Sequence, residues 1–155
     1  MPDHDESIFS EHERLPVIEM PPITEEQLIR YAGASGDFNS IHVIEKKARE
    51  YGLPGVIAHG MLTMAFMARP FSIYWQKGGF LRDFKARFKA KVFVGDILTV
   101  IVTRQFKRNG DNHFDDIDDQ RESSKYKHDI RVVNQNGIEV ASGTATIQFI
   151  KEKEI

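Results

Sequence analysis

The sequence predicts an α+β domain in which helices from its first half pack on an antiparallel sheet from its second half. Helix signals come first, and a strict alternation of apolar and polar residues begins after Phe80. Asn136 and Gly137, a pair typical of tight hairpin turns, separate the last two alternating segments. Helices followed by consecutive antiparallel strands are typical of the α+β class.

Length and composition limit the kinds of protein that this chain can be. Its 155 residues fit a polar N-terminal tail at 1–13 and a single domain at 14–155, and the 41% hydrophobic content supplies a core. The net charge of -2 gives no electrostatic reason to expect a nucleic acid or an anionic membrane as partner. No cysteine is present, which excludes disulfides and cysteine nucleophiles. Since no segment reads as a secretory signal or a transmembrane helix, we expect a cytoplasmic protein.

The helices of the first half are predicted from their end signals. After a short strand at 15–20, Thr24 and Gln27 have the spacing of a capping box, which predicts a helix over 25–34. Residues 35–42 are rich in turn formers and predict a loop, and a short helix should follow at 44–51. A longer helix should begin near Gly60. It is apolar on nearly all sides, so we expect it to be buried.

The second half is predicted to form the sheet. Apolar residues from Phe84 to Val94 alternate with lysine and arginine, which predicts one long, half-buried strand. A strand at 97–106, a polar loop at 107–124 and a hairpin of 126–133 with 138–150, turning at Asn136-Gly137, should follow. A single sheet of this kind leaves an apolar face and an edge exposed, which favours a dimer.

The residues that could carry chemistry are concentrated in YAGASGDFNSIH, residues 31–42. Asp37, Asn39 and His42 can converge in this turn-rich stretch, where a carboxylate and an imidazole that share one water molecule form an acid/base pair. Gly60, in AHGMLTM at 58–64, lies at the expected start of the buried helix. Its unpaired N–H there could polarise a carbonyl group and stabilise negative charge on its oxygen.

Together these two motifs resemble the signature of the MaoC-like (R)-specific enoyl-CoA hydratases (hydratase 2) and the (3R)-hydroxyacyl-ACP dehydratases. The resemblance is strongest over residues 24–67. It implies a hot-dog fold, in which a long buried central helix is wrapped by an antiparallel sheet, and an active dimer without cofactor or metal. It also implies that Asp37 and His42 form the catalytic dyad, that Asn39 helps to place the water, and that the Gly60 amide receives the thioester oxygen. Ser40 departs from the family, which usually has proline after the asparagine.

The function that the resemblance implies is reversible hydration of trans-2-enoyl thioesters, or dehydration of (3R)-3-hydroxyacyl thioesters, of CoA or acyl carrier protein in fatty acid metabolism. The alternatives are a non-catalytic or partner subunit of a heterodimeric hydroxyacyl dehydratase and a hot-dog acyl-CoA thioesterase. Asp37, His42 and His59 could be imagined as metal ligands, but their spacing in the sequence is not that of a known metal-binding motif. We expect His59 instead to shape the loop or cap the helix. The acidic stretch at 111–119 is read as a solvated loop, since it lacks the spacing of a calcium site.

Overall fold

A five-stranded antiparallel sheet packed against helices forms the fold in the computed structural model of the chain, which describes residues 15–105 and 123–150. The helices are α1 (Glu25–Ser35), α2 (Ser40–Val43), α3 (Glu45–Glu50), α4 (Gly60–Ala68) and α5 (Ser72–Trp75), and the strands are β1 (Ile18–Glu19), β2 (Gly79–Phe88), β3 (Leu98–Arg104), β4 (Ser123–Asn134) and β5 (Glu139–Ile150). The strand order is β1-β3-β4-β5-β2, which confirms the α+β class. The tail predicted at 1–13 and most of the loop predicted at 107–124, with its acidic stretch at 111–119, lie outside the described residues.

The first helix is fixed at both ends by the residues that predict it. The Thr24 hydroxyl accepts a hydrogen bond of 3.1 Å from the Gln27 N–H, as expected of an N-cap. At the other end Gly36 has φ 73°, in the left-handed region that glycine adopts without strain, and its N–H donates to Ala32 O. The helix therefore stops sharply and places Asp37 directly after this turn.

The loop predicted at 35–42 is partly wrong, because Ser40–Val43 form the short helix α2 and His42 lies within it. Asn39 caps α2: its side-chain oxygen accepts a hydrogen bond of 3.3 Å from the Ile41 N–H. Four residues are too few to show a helical period, so the turn-forming composition dominated the prediction.

The central helix begins at Gly60 as predicted and packs into the core, although it has only nine residues and one of its sides is exposed. Leu62, Phe66 and Met67 are buried in the core, whereas Met61 on the opposite face of α4 is 58% exposed. The helix ends after nine residues at Ala68 and continues as a 3-10 turn that contains Pro70, a residue that cannot donate to a helical ladder. No helix in the described ranges is long and apolar enough to cross a membrane.

The strand predicted to run on to Val94 ends at Phe88 instead. The N–H groups of Lys89 and Ala90 both donate to Val140 O, at 2.9 and 3.3 Å, and this breaks the alternating ladder with β5. Beyond this point Phe93 pairs with Ile57 rather than with the sheet. Of the apolar residues that continue the alternation, Val92 is buried, whereas Ala90 and Val94 are exposed.

The last two strands form the predicted hairpin with a longer turn. The Asn134 N–H donates to Ile138 O, and the Gly137 N–H donates to Asn134 O with Gly137 at φ 75°. The loop therefore has three residues, 135–137, rather than the predicted two. Such a loop with glycine in the left-handed position is a common hairpin closure.

The core lies between the helices and one face of the sheet. Its largest fully buried apolar side chains are Phe71, Ile23, Leu28, Met67, Leu98, Ile130, Ile147, Val100, Val132 and Val140. At Gly143 on β5 the side chain of Met67 from α4 comes close to the sheet. A Cβ atom there would collide with the Lys85 carbonyl oxygen and lie 2.9 Å from Met67 Cε, so no side chain fits without movement.

Candidate active site

Asp37 lies in the four-residue connection between α1 and α2, with its side chain exposed. Its carboxylate oxygen Oδ1 accepts a hydrogen bond of 3.2 Å from the Asn39 N–H, and its own N–H donates to the Ser35 hydroxyl. These local bonds hold the turn and leave Oδ2 available to another partner. Asn39 itself is an N-cap in the structure, as described above, and a role in placing water stays a prediction.

His42 is buried and its ring is anchored at one nitrogen. His42 Nδ1 lies 2.7 Å from Ile57 O. Because a carbonyl oxygen only accepts, this contact assigns the ring proton to Nδ1 and leaves a lone pair on Nε2. An imidazole held in this tautomer can take a proton at Nε2, as a general base requires.

The carboxylate and the imidazole come together as the sequence predicts. A carboxylate oxygen of Asp37, a ring nitrogen of His42 and a ring nitrogen of His59 all lie within 4.8 Å of one another. Among the described residues, which include Asp37 and His42, no direct hydrogen bond joins these two side chains. One water molecule can span such a separation and hydrogen-bond to both groups.

The same three side chains do not suit a shared metal ion. The rings of His42 and His59 are stacked, with centroids 3.9 Å apart and planes inclined by 25°. A metal binds to an imidazole nitrogen along its lone pair, which lies in the ring plane. Because the two ring planes are nearly parallel, they intersect only at a distance from both rings that is much longer than a metal–nitrogen bond. One ion therefore cannot lie in both ring planes and bind both nitrogens. The arrangement therefore favours a water molecule over a metal.

The helix start at Gly60 supplies the polar group that a carbonyl oxygen would need. Gly60 is the first residue of α4, and no hydrogen bond among the described residues takes up its N–H. The Phe88 ring packs directly on it: a Cβ atom at position 60 would lie 3.1 Å from Phe88 Cε2. Glycine thus keeps this N–H accessible where a side chain would crowd it.

His59 is the site residue that the sequence prediction underrated. Its expected role in shaping the loop is confirmed, because His59 Nε2 lies 3.0 Å from Asp37 O. His59 also occupies the N-cap position of α4, as the alternative expectation had it, but it caps through its main-chain carbonyl and its side chain makes no capping hydrogen bond. The stack on His42 joins residues 17 positions apart, and no local pattern in the sequence announces it.

A further buried imidazole, His128 on β4, lies outside this site. Its Nε2 is 3.3 Å from the Tyr74 hydroxyl, and its ring meets the edge of Phe71. Burial, and after it the positive charge of Arg104, lowers the pKa of His128 to about 4. His128 therefore stays neutral in the folded core.

Comparison with known proteins places these observations in a family. Residues 10–124 match the family model of the MaoC-like domain. The chain belongs to the MaoC-like family. Over 43 residues it is 49% identical to the 3-hydroxyacyl-thioester dehydratase X of Mycobacterium tuberculosis, an alignment that covers 28% of this chain and 15% of that protein. The alignments of the chain with this protein and with two other curated relatives cover at most 19% of the length of those proteins.

Solved structures confirm the hot-dog fold of this MaoC-like protein. The R-hydratase PhaJ1 of Pseudomonas aeruginosa superimposes with a TM-score of 0.70 and 27% identity, over 90% of this chain and 83% of that chain. The (R)-hydratase of A. caviae, described as involved in PHA biosynthesis, has a TM-score of 0.71 and 21% identity, over 91% of this chain and 99% of that chain.

Proposed function

We propose that this MaoC-like protein adds water reversibly to trans-2-enoyl thioesters and, in reverse, dehydrates (3R)-3-hydroxyacyl thioesters. The observation that carries the proposal is the meeting of the Asp37 carboxylate and a His42 ring nitrogen, within 4.8 Å, beside the start of α4. The similarity to a protein named as a 3-hydroxyacyl-thioester dehydratase supports it, as does the structural match to one named as an R-hydratase.

The reaction follows from the positions of these groups. Asp37 and His42 hold one water molecule between them, and His42 Nε2 takes a proton from it as its oxygen attacks the β-carbon of the enoyl thioester. The electron pair of the double bond moves toward the thioester carbonyl, so negative charge develops on its oxygen. The proton then passes to the α-carbon, and both additions occur on the same face. Dehydration retraces this path.

The start of α4 stabilises the charge that develops. The Gly60 N–H is directed out of the first helical turn, at the positive end of the helix dipole. We propose that it hydrogen-bonds to the thioester oxygen, more strongly as that oxygen becomes an enolate. Removal of a single donor of this kind costs about 10²–10³ in turnover in other enzymes.

The test is hydration of crotonyl-CoA by the Asp37→Asn and His42→Ala variants. We expect each to lose about 10²–10⁴ of its turnover, the usual contribution of a positioned acid/base group. Glu26→Gln, at an exposed carboxylate on α1, is the matched control and should keep the wild-type rate. Near-native turnover in either site variant, with thermal unfolding unchanged, would exclude the proposed dyad.

The same assay separates the alternative functions. Release of free thiol from a saturated acyl-CoA, without hydration, would identify a thioesterase. Hydration that requires a second, related chain would identify a subunit of a heterodimeric dehydratase. A series of CoA and acyl-carrier-protein thioesters of increasing chain length would then identify the carrier and the preferred acyl group.

We also propose that the protein acts as a dimer, and two exposed features near the site support this. Strand β2 pairs on one side with β5 and on the other with no strand of the described ranges, so its outer edge is open. Apolar side chains flank that edge, with Met61 58% and Phe88 47% exposed. Sedimentation should give twice the mass of one chain, and Met61→Glu should shift the population toward the monomer.

The cytoplasmic location stays a prediction that cell fractionation would test.

A further inference from the structure

His59 contacts both members of the proposed dyad, and its contacts differ in kind. Its ring stacks on the ring of His42 at 3.9 Å, and its Nε2 lies 3.0 Å from the main-chain oxygen of Asp37. The side chain is 1% exposed, so these contacts are made away from bulk water. Tyr31 packs against the same imidazole, with ring centroids 4.9 Å apart.

The stack supplies a constraint on His42 that its hydrogen bond does not. The bond from Nδ1 to Ile57 O fixes one atom of the ring, but the ring plane can still pivot about that point. A second ring lying nearly parallel at 3.9 Å blocks the pivot. The plane of the ring sets the direction of the Nε2 lone pair, so the stack determines where a bound water must lie.

The hydrogen bond of His59 fixes the other half of the dyad. Asp37 O accepts only, which places the ring proton of His59 on Nε2 and the lone pair on Nδ1. The Asp37 turn is exposed, and its other hydrogen bonds, to Ser35 and Asn39, are local to the turn. The bond to His59 is therefore the one that ties this turn to the start of α4.

The position of His59 in the chain links these contacts to Gly60. His59 is the residue immediately before Gly60, and its carbonyl oxygen accepts hydrogen bonds from the N–H groups of Leu62 and Thr63. The backbone that begins the helix therefore also directs the His59 ring. A movement of that ring would change the distance between the dyad and the Gly60 N–H.

We infer that His59 is a positioning residue, which sets the His42 ring plane and the Asp37 turn relative to the helix start. The inference rests on the proposed function, because it concerns the rate of that reaction. Small errors in the position of reacting groups lower the reaction rate, by about 10²-fold for a displacement of about 1 Å. His59 has no assigned contact with the substrate, so its loss should lower kcat more than it raises KM.

Two substitutions separate the two contacts. His59→Phe keeps an aromatic ring to stack on His42 and removes the donor to Asp37 O, whereas His59→Gln keeps a donor and removes the ring. We expect each to lower kcat for crotonyl-CoA by about 10–100-fold with KM nearly unchanged. His128→Phe is the matched control, since it replaces a buried imidazole outside the site. It should lower thermal stability without lowering kcat of the folded protein.

A double-mutant cycle distinguishes positioning from general support of the fold. If His59 acts through the dyad, His59→Phe should lower turnover no further in an Asp37→Asn or His42→Ala background. An equal loss in all backgrounds, or wild-type kcat in both His59 variants, would overturn the inference. Loss of turnover in the Asp37 and His42 variants alongside normal His59 variants would leave the proposed function standing. Normal turnover in the Asp37 and His42 variants would remove both.

Discussion

The buried imidazole of His128 couples the stability of the fold to pH. In the unfolded chain its pKa has the ordinary value of 6.5, whereas in the folded core burial and Arg104 hold its pKa at about 4. As the pH falls below 6.5, the unfolded state therefore takes up a proton that the folded state still refuses, and folding stability decreases. The decrease continues until the pH passes below about 4, where both states are protonated.

The size of the effect follows from the two pKa values. Each pKa unit corresponds to about 1.4 kcal/mol, so the full difference amounts to about 3 kcal/mol, of which about 2 kcal/mol is lost between pH 7 and pH 5. That loss is a substantial part of the 5–15 kcal/mol by which a typical domain is stable.

Urea unfolding followed by circular dichroism, at pH 7 and pH 5 and at one protein concentration, measures this loss. Other carboxylates and histidines titrate in the same range, so the informative quantity is the difference between wild type and variants. The wild type should lose about 2 kcal/mol more than His128→Phe and His128→Gln over this interval. Arg104→Gln should give a smaller loss than the wild type, because removing that cation raises the pKa of His128. Equal losses in the wild type and both His128 variants would refute the reasoning.

Three further results are expected. Gly60→Ala should lower turnover about 10-fold or more, because the added methyl group meets the Phe88 ring beside the proposed oxyanion donor, and a wild-type rate would argue against that donor. Ser40→Pro should raise the free energy of unfolding by about 0.4–1 kcal/mol and keep turnover, since proline is favoured at the first position of a helix. The preceding Asn39, with φ -53° and ψ 126°, already has the extended conformation that a following proline requires. A lower free energy of unfolding for Ser40→Pro in urea would contradict the expected stabilisation. Prolonged treatment with EDTA should leave the hydration rate unchanged, and restoration of lost activity by a divalent metal would contradict the water-bridged site.

The parts of the fold that the sequence predicts correctly depend on local chemistry. The cap at Thr24 is decided within a few residues, because its hydroxyl accepts a hydrogen bond from the N–H of Gln27. The same holds for the proposed dyad. Asp37 and His42 are only five positions apart, so a turn and a short helix are sufficient to bring them near one water molecule.

The parts that the sequence did not predict depend on contacts between distant segments. Nothing near Phe88 marks the end of β2, because the interruption arises where Lys89 and Ala90 share one acceptor on β5. The proposed role of His59 likewise depends on its stack on His42, which joins α2 to the residue before α4. Local patterns therefore identify the residues of the proposed dyad, whereas the contacts that hold their side chains appear only in the tertiary structure.

The tight packing at Gly143 also restricts where a long hydrocarbon tail can go. Met67 lies directly above this glycine, and the Lys85 carbonyl closes the remaining space from β2. At this level the Met67 side chain fills the space between α4 and β5, and the main chain of β2 bounds the same space from the side. We expect extended alkyl groups to run along the Met61 side of the helix, which lies at the interface of the proposed dimer, rather than beneath the helix.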